Sequence, residues 1–183
     1  MSQIVRLALA GLALSISPAL AQTDAIAPQN QPVQTQQATP MTAEQFVAAA
    51  VPSNLFEIQS SELALQRAST ANVQQFAQQM ITDHTAAGER LQALLAQNAT
   101  VEAPPMSLDP PHEAMLTQLT NATAENFDTT YINLQLQAHE EAVSLFSAYA
   151  TSGDDPVLRL FAAETLPVLR HHLSEVLILA GNT

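Results

Sequence analysis

From residue 42 onward, apolar side chains recur every three or four positions, the period of amphipathic helices packed by one face. The clearest stretch is Val73 to Leu95, where Val73, Ala77, Met80, Ala87, Leu91 and Leu95 project within about 40° of one direction at 100° per residue. His84 falls inside that arc. An imidazole on the core side of a helix needs a polar partner.

Upstream, Thr42-Ala43-Glu44-Gln45 has the form of a capping box that opens a helix carrying Phe46, Val47 and Ala50. Pro52 predicts a break, so this first piece is expected to be a short extra N-terminal helix ahead of a longer one over residues 53–68. In that longer segment Gln59, Glu62 and Gln66 form a solvated face. The opposite, small face holds Glu57, Ser60, Ser61, Ala64 and Ala68, edged by Phe56, Leu63, Ile58 and Leu65. A carboxylate at Glu57 either reaches water at the rim of the core or is buried with a partner or a metal. Equal counting from the turn at Ser69-Thr70 sets Glu57 level with about residue 83, beside His84.

The segment 96–123 contains four prolines and one short helical stretch, about His112 to Leu119, opened by Asp109 and the prolines after it, with His112 expected to be exposed. A long helix over about 124–150 has Phe127, Tyr131, Ile132, Leu136, Ala142, Val143, Phe146 and Tyr149 on its apolar side, together with Asp128, Gln135 and His139. The last helix starts at Asp154-Asp155-Pro156 and ends at Gly181, and a bend is expected at Pro167. Leu158, Phe161, Leu169, Leu173, Val176 and Leu179 line its core side, with Thr165 and His172 in the same arc.

Four long amphipathic helices joined by two short turns and one long connection predict an all-α antiparallel four-helix bundle over residues 42–183. If both short turns lie at one end, Glu57, His84 and His139 each stand about 13 residues from it and share a layer ~20 Å down the bundle. On the same count His172 lies ~9 Å deeper, toward Asp128 and Tyr131. Asp83, Asp128, Tyr131, Gln135, Thr165 and His172 are the remaining candidates for a buried polar network.

Composition narrows the chemistry. The chain has five Lys and Arg residues against seventeen Asp and Glu, a formal charge of −12, and every one of the five is Arg. Phosphate backbones and anionic lipid surfaces would be repelled, so no nucleic-acid partner is expected. With no Cys, any metal site must use histidine and carboxylate ligands. No G-x-S-x-G elbow or Gly-rich phosphate loop occurs, and a closed helical bundle suggests no obvious substrate cleft.

Before the first helix, Arg6 precedes an apolar run from Leu7 to Ile16, followed by Ser17-Pro18-Ala19-Leu20-Ala21. The run is too short to span a bilayer of ~30 Å, and Ala19 and Ala21 fit an A-x-A cleavage site, so residues 1–21 read as a signal peptide cut between Ala21 and Gln22. Residues 22–41, rich in Gln and Pro, read as a disordered tether. The expected location is periplasmic or secreted, with no integral membrane segment after cleavage.

The motifs F-x-x-x-A (Phe46–Ala50), E-I-x-x-S-x-L-A-L (Glu57–Leu65), F-A-x-x-M-I-x-D-H-T (Phe76–Thr85), F-D-x-x-Y-I-x-x-x-x-x-A-H (Phe127–His139) and L-P-x-L-x-x-H-L (Leu166–Leu173) occur in order. As a set they resemble the bacterial domain-of-unknown-function family 4142. The resemblance implies a secreted, ferritin-like bundle and draws attention to Glu57, Asp83, His84, Asp128, His139 and His172. The chain departs from di-iron bundles, which carry Glu-x-x-His on two helices, since Ile81, Leu136 and Leu169 stand three before His84, His139 and His172.

Two readings of function follow. The first is a non-enzymatic envelope or stress-associated bundle whose buried Glu and His fix helix register through a hydrogen-bonded network. The second is a metal-binding protein with redox capacity that holds a divalent ion through Glu57, His84 and His139, ligand types suited to zinc, iron, manganese or copper.

Overall fold

A computed structural model of the protein describes residues 40–181. The expected signal peptide, its Ala21/Gln22 cleavage site and the tether up to residue 39 lie outside the described residues. Five helices follow in order: α1 Ala43–Arg67, α2 Ala71–Gln97, α3 Pro110–Thr120, α4 Phe127–Ser152 and α5 Pro156–Ala180. Among the described residues there is no strand, and no helix is long and apolar enough to cross a membrane.

The helix starts follow their local chemistry. Thr42 and Gln45 form the reciprocal capping box, with the Gln45 N–H donating to Thr42 Oγ1 at 3.3 Å and the Thr42 N–H donating to Gln45 Oε1 at 3.0 Å. Asp155 caps α5 by accepting the Val157 and Leu158 N–H groups at 2.8 Å each, ahead of Pro156 at the first turn. Asp109 caps α3 in the same way through the His112 N–H at 3.1 Å.

One expected boundary is absent. Pro52 does not separate a short N-terminal helix; it is buried within the continuous α1. An interior proline costs about 3 kcal/mol because it deprives the carbonyl four residues earlier of its partner. That carbonyl belongs to Ala48, an exposed residue whose oxygen water can serve, while Phe46, Val47, Ala50 and Val51 bury on the same side and hold the segment in line.

α1 packs on α2 and α4 on α5 as two hairpins, with α3 against α1 and α4. The two short turns lie at opposite ends of the bundle, contrary to the expectation of a shared end. At one end the Asp128 carboxylate, in the first turn of α4, accepts the Ser69 N–H, the Ser69 hydroxyl and the Thr70 N–H at 2.9, 2.9 and 3.0 Å, tying down the α1–α2 turn. At the other, Asn98 at the end of α2 donates to Asp155 at the start of α5 at 2.9 Å. The 98–126 segment therefore runs the length of the bundle, and Arg67 receives it by donating to the Thr120 and Ala122 carbonyls.

The core is divided in two. One apolar cluster joins Phe46, Val47, Leu91, Phe146, Tyr149 and Phe161, and the other joins Phe56, Phe76, Met80, Tyr131, Ile132 and Val176. On α2, α4 and α5 the residues between the halves include His84, His139 and His172, and on α1 Glu57 follows Phe56 at the same division. A buried polar layer thus interrupts an otherwise continuous core.

Candidate metal centre

The three imidazoles of the layer come from three helices and surround one point. His84, His139 and His172 have ring centroids 5.7, 5.5 and 5.5 Å apart in pairs. Each offers one ligand atom, and these atoms lie within 4.8 Å of one another. All three side chains are buried, at 6, 0 and 1% exposure.

Each ring is held from outside by an oxygen acceptor. His139 Nδ1 donates to the Gln135 carbonyl at 2.9 Å, one turn earlier on α4. His84 Nδ1 meets Asn54 Oδ1 on α1 at 3.1 Å, and His172 Nε2 meets Asp83 Oδ2 on α2 at 2.8 Å. An oxygen acceptor requires the facing nitrogen to carry the proton, so the other nitrogen of each neutral ring keeps its lone pair. Those nitrogens, His84 Nε2, His139 Nε2 and His172 Nδ1, are buried and have no hydrogen-bond partner.

Burial favours the neutral form of His84 and His172. Burial, reinforced by His139 and His172, pushes the His84 pKa well below the ordinary histidine value. Burial lowers His172 too, against the opposing pull of its Asp83 hydrogen bond. A neutral imidazole is the form that ligates metal.

Glu57 is in the layer but is not one of the three converging groups. Its Oε1 lies 3.5 Å from His139 Nδ1, the nitrogen that faces the Gln135 carbonyl, and both of its oxygens are buried without a hydrogen bond. Burial pushes its pKa up, offset by the neighbouring His139. Nor is Glu57 the α1 neighbour of His84, as counting from Ser69-Thr70 suggested. That place is taken by Asn54, one helical turn nearer the N-terminus.

His172 occupies the position expected of Glu57. The depth that was to carry it toward Asp128 and Tyr131 came from counting to the middle of the turn. Measured from the helix ends, His172 follows Pro156 by sixteen residues and His139 precedes Ser152 by thirteen, a difference of three residues or about 4.5 Å of rise. His139 also stands within one residue of the midpoint of α4, so it reaches the same layer whichever end holds the α1–α2 turn.

The other candidates are dispersed. Gln135 donates to Ser60 Oγ at 3.0 Å, and Tyr131 shares a 2.8 Å hydrogen bond with Ser61, so the serines of the small face of α1 serve α4. Thr165 donates back to the Phe161 carbonyl within α5, and Asp128 serves the distant α1–α2 turn. His112 is buried rather than exposed: its ring lies 5.6 Å from Phe56, and Asp109 holds its Nδ1 at 2.5 Å. Asn54 went unnoticed in the sequence because a lone amide on a helix edge has no periodic or motif signal.

The layer is also less closed than a helical bundle suggested. A cleft lined by Asp83, His84, Leu91, Phe161, Val168 and His172, among others, reaches it from one side.

Fold and site together define a helical bundle with a buried three-histidine centre. The family profile described as a domain of unknown function (DUF4142) matches residues 28–179, and the chain belongs to that family. Among solved structures, CopM in its Cu(II)-bound form is similar with a TM-score of 0.67 at 21% identity, covering 79% of this chain and 99% of its own. CopM in its Cu(I)-bound form gives 0.64 at 20% identity over 76% and 95%. A DUF305 fragment from Deinococcus radiodurans gives 0.67 at 16% identity over 79% and 100%. At these identities the likeness is one of fold. No curated protein matches.

Proposed function

We propose that the protein is an exported metal-binding bundle that holds one copper ion through His84 Nε2, His139 Nε2 and His172 Nδ1. The observation that carries this reading is the set of three unpartnered imidazole nitrogens on rings gathered at one place, each ring held at its other nitrogen by an oxygen acceptor. A hydrogen-bonded network would have joined these atoms to one another, since a buried polar group left unpaired costs roughly 1–3 kcal/mol. Here the hydrogen bonds run outward and the lone pairs inward, the arrangement of metal-ligating histidines with their outer partners.

Charge supports a cation. Three neutral ligands leave the ion's charge uncompensated, and Asp83 behind His172 supplies a carboxylate at the next distance, with the Glu57 carboxyl group behind His139. Imidazole donors suit copper, zinc, iron and nickel. Copper is favoured here by the likeness of fold to a protein solved in Cu(II)-bound and Cu(I)-bound forms. Export rests on the apolar run and Ala19-Leu20-Ala21 of the N-terminal segment.

The test is a competition titration of untagged protein against a chromophoric copper chelator. The parent is expected to take up one equivalent. His84→Leu, His139→Leu and His172→Leu should each lose more affinity than the roughly 10–100-fold that loss of an outer partner costs. Unchanged uptake by all three variants would overturn the reading.

A further inference from the structure

A cleft runs beside the histidine layer. His84 and His172 belong to its wall, whereas His139 does not. Two of the three inward nitrogens, His84 Nε2 and His172 Nδ1, therefore sit on side chains that border both the layer and the cleft. Glu57, on the Nδ1 side of His139, does not line the cleft. The wall is largely apolar, with Ala87, Leu91, Phe161 and Leu169 contributing, and Val168 is 42% exposed.

We infer that this cleft binds a small uncharged donor molecule, one nitrogen or sulfur lone pair on a compact apolar body, which completes the coordination of the ion. The inference rests on the three-histidine reading above. Three-ligand metal sites keep a further position for water or an exogenous ligand, in contrast to closed structural sites. The lining decides which ligand. An anion would leave water for an apolar wall and approach the Asp83 carboxylate on a chain of net charge −12. An uncharged donor loses little hydration and gains apolar contact with Leu91 and Phe161.

The experiment uses full-length Cu(II)-loaded protein titrated at about pH 8 with imidazole, mostly uncharged there as free histidine side chains are, and with azide as a small anionic probe. Copper electron paramagnetic resonance and visible absorption follow binding. Copper content before any probe is added tests the three-histidine reading separately. A protein that takes up no copper overturns that reading and this inference with it.

With one copper bound, imidazole is expected to give a saturable one-equivalent change in the spectrum, with azide at least tenfold weaker. Val168→Phe, which adds bulk at an exposed wall position and replaces none of the three histidines, should load copper with the parent's affinity and spectrum but bind imidazole at least tenfold more weakly. Val168→Ala should bind imidazole as the parent does. The inference is overturned if loaded protein shows no change with imidazole, if imidazole strips the copper, if Val168→Phe responds as the parent does, or if azide binds as tightly as imidazole.

Discussion

Asp83 on α2 accepts the Nε2–H of His172 on α5 at 2.8 Å, while its chain neighbour His84 turns into the core. Adjacent residues of one helix thus serve the layer differently, one as an outer carboxylate and one as an inward imidazole. Asp83→Ala should weaken copper binding by about 10–100-fold, the usual effect of losing an outer partner. Asp83→Asn keeps an acceptor oxygen and should lose less. Chelator competition measures both, and equal losses would mean that the negative charge of Asp83 matters rather than its hold on the ring.

Gly88 leaves room for Asn54. A Cβ at residue 88 would lie 2.8 Å from Asn54 Nδ2, the end of the same amide whose Oδ1 holds His84. Gly88→Ala is expected to displace that amide at little cost in folding, because the atom in the way belongs to a side chain that can turn. The expected outcome is a thermal midpoint within a few degrees of the parent and copper affinity reduced to the level of Asn54→Ala. Calorimetry and copper titration of the two variants make the comparison, and parent-like affinity in Gly88→Ala would refute the coupling.

Glu57 and His139 should be energetically coupled, since their side chains approach to 3.5 Å in a fully buried setting. In a double-mutant cycle of Glu57→Leu and His139→Leu on metal-free protein, residues in contact show interaction energies of about 0.5–3 kcal/mol. Urea unfolding of the four proteins gives this value directly. Additivity within about 0.3 kcal/mol would mean that the pair does not interact.

Acid should destabilise the metal-free protein. His84 and His172 have folded pKa values below the 6.5 of an unperturbed histidine. The unfolded chain therefore binds protons first, and the stability these residues contribute is complete above pH 6.5 and declines below it, by at most about 1.4 kcal/mol per residue per pH unit. Glu57 acts in the opposite sense: held protonated above 4.5, it favours the folded state at low pH and loses that contribution as the pH rises through its folded pKa. The two histidines act together over this range, and thermal unfolding should occur at a lower temperature at pH 5.5 than at pH 7.5. The difference should shrink in a His84→Leu/His172→Leu variant. An equal or higher midpoint at pH 5.5 in the parent would contradict the pKa assignments.

The helices were legible in the sequence because their signals are local: the Thr42 and Asp155 caps, the apolar arc of α2, and the prolines that open α3 and α5. The inward faces of His84 and His139 were legible for the same reason. What sequence periodicity does not supply is the relation between helices. Nothing local to residues 98–126 states that this segment crosses the bundle, so the ends of the two hairpins were misplaced, whereas the depth of His172 was misplaced within its own hairpin. Pro52 was misread because a propensity rule was applied where buried neighbours keep α1 continuous through it. Asn54 became visible only when α1 and α2 were laid side by side.

The central claim, one copper ion among His84, His139 and His172, is tested most directly by a crystal structure of copper-soaked protein with anomalous data collected on both sides of the copper absorption edge. The account predicts a single strong anomalous peak about 2.0–2.1 Å from His84 Nε2, His139 Nε2 and His172 Nδ1, the bond length of imidazole ligation to a metal of this size. No peak among these rings in fully soaked crystals, or copper found only at the pair of exposed His171 and half-buried Glu175 on α5, would contradict it.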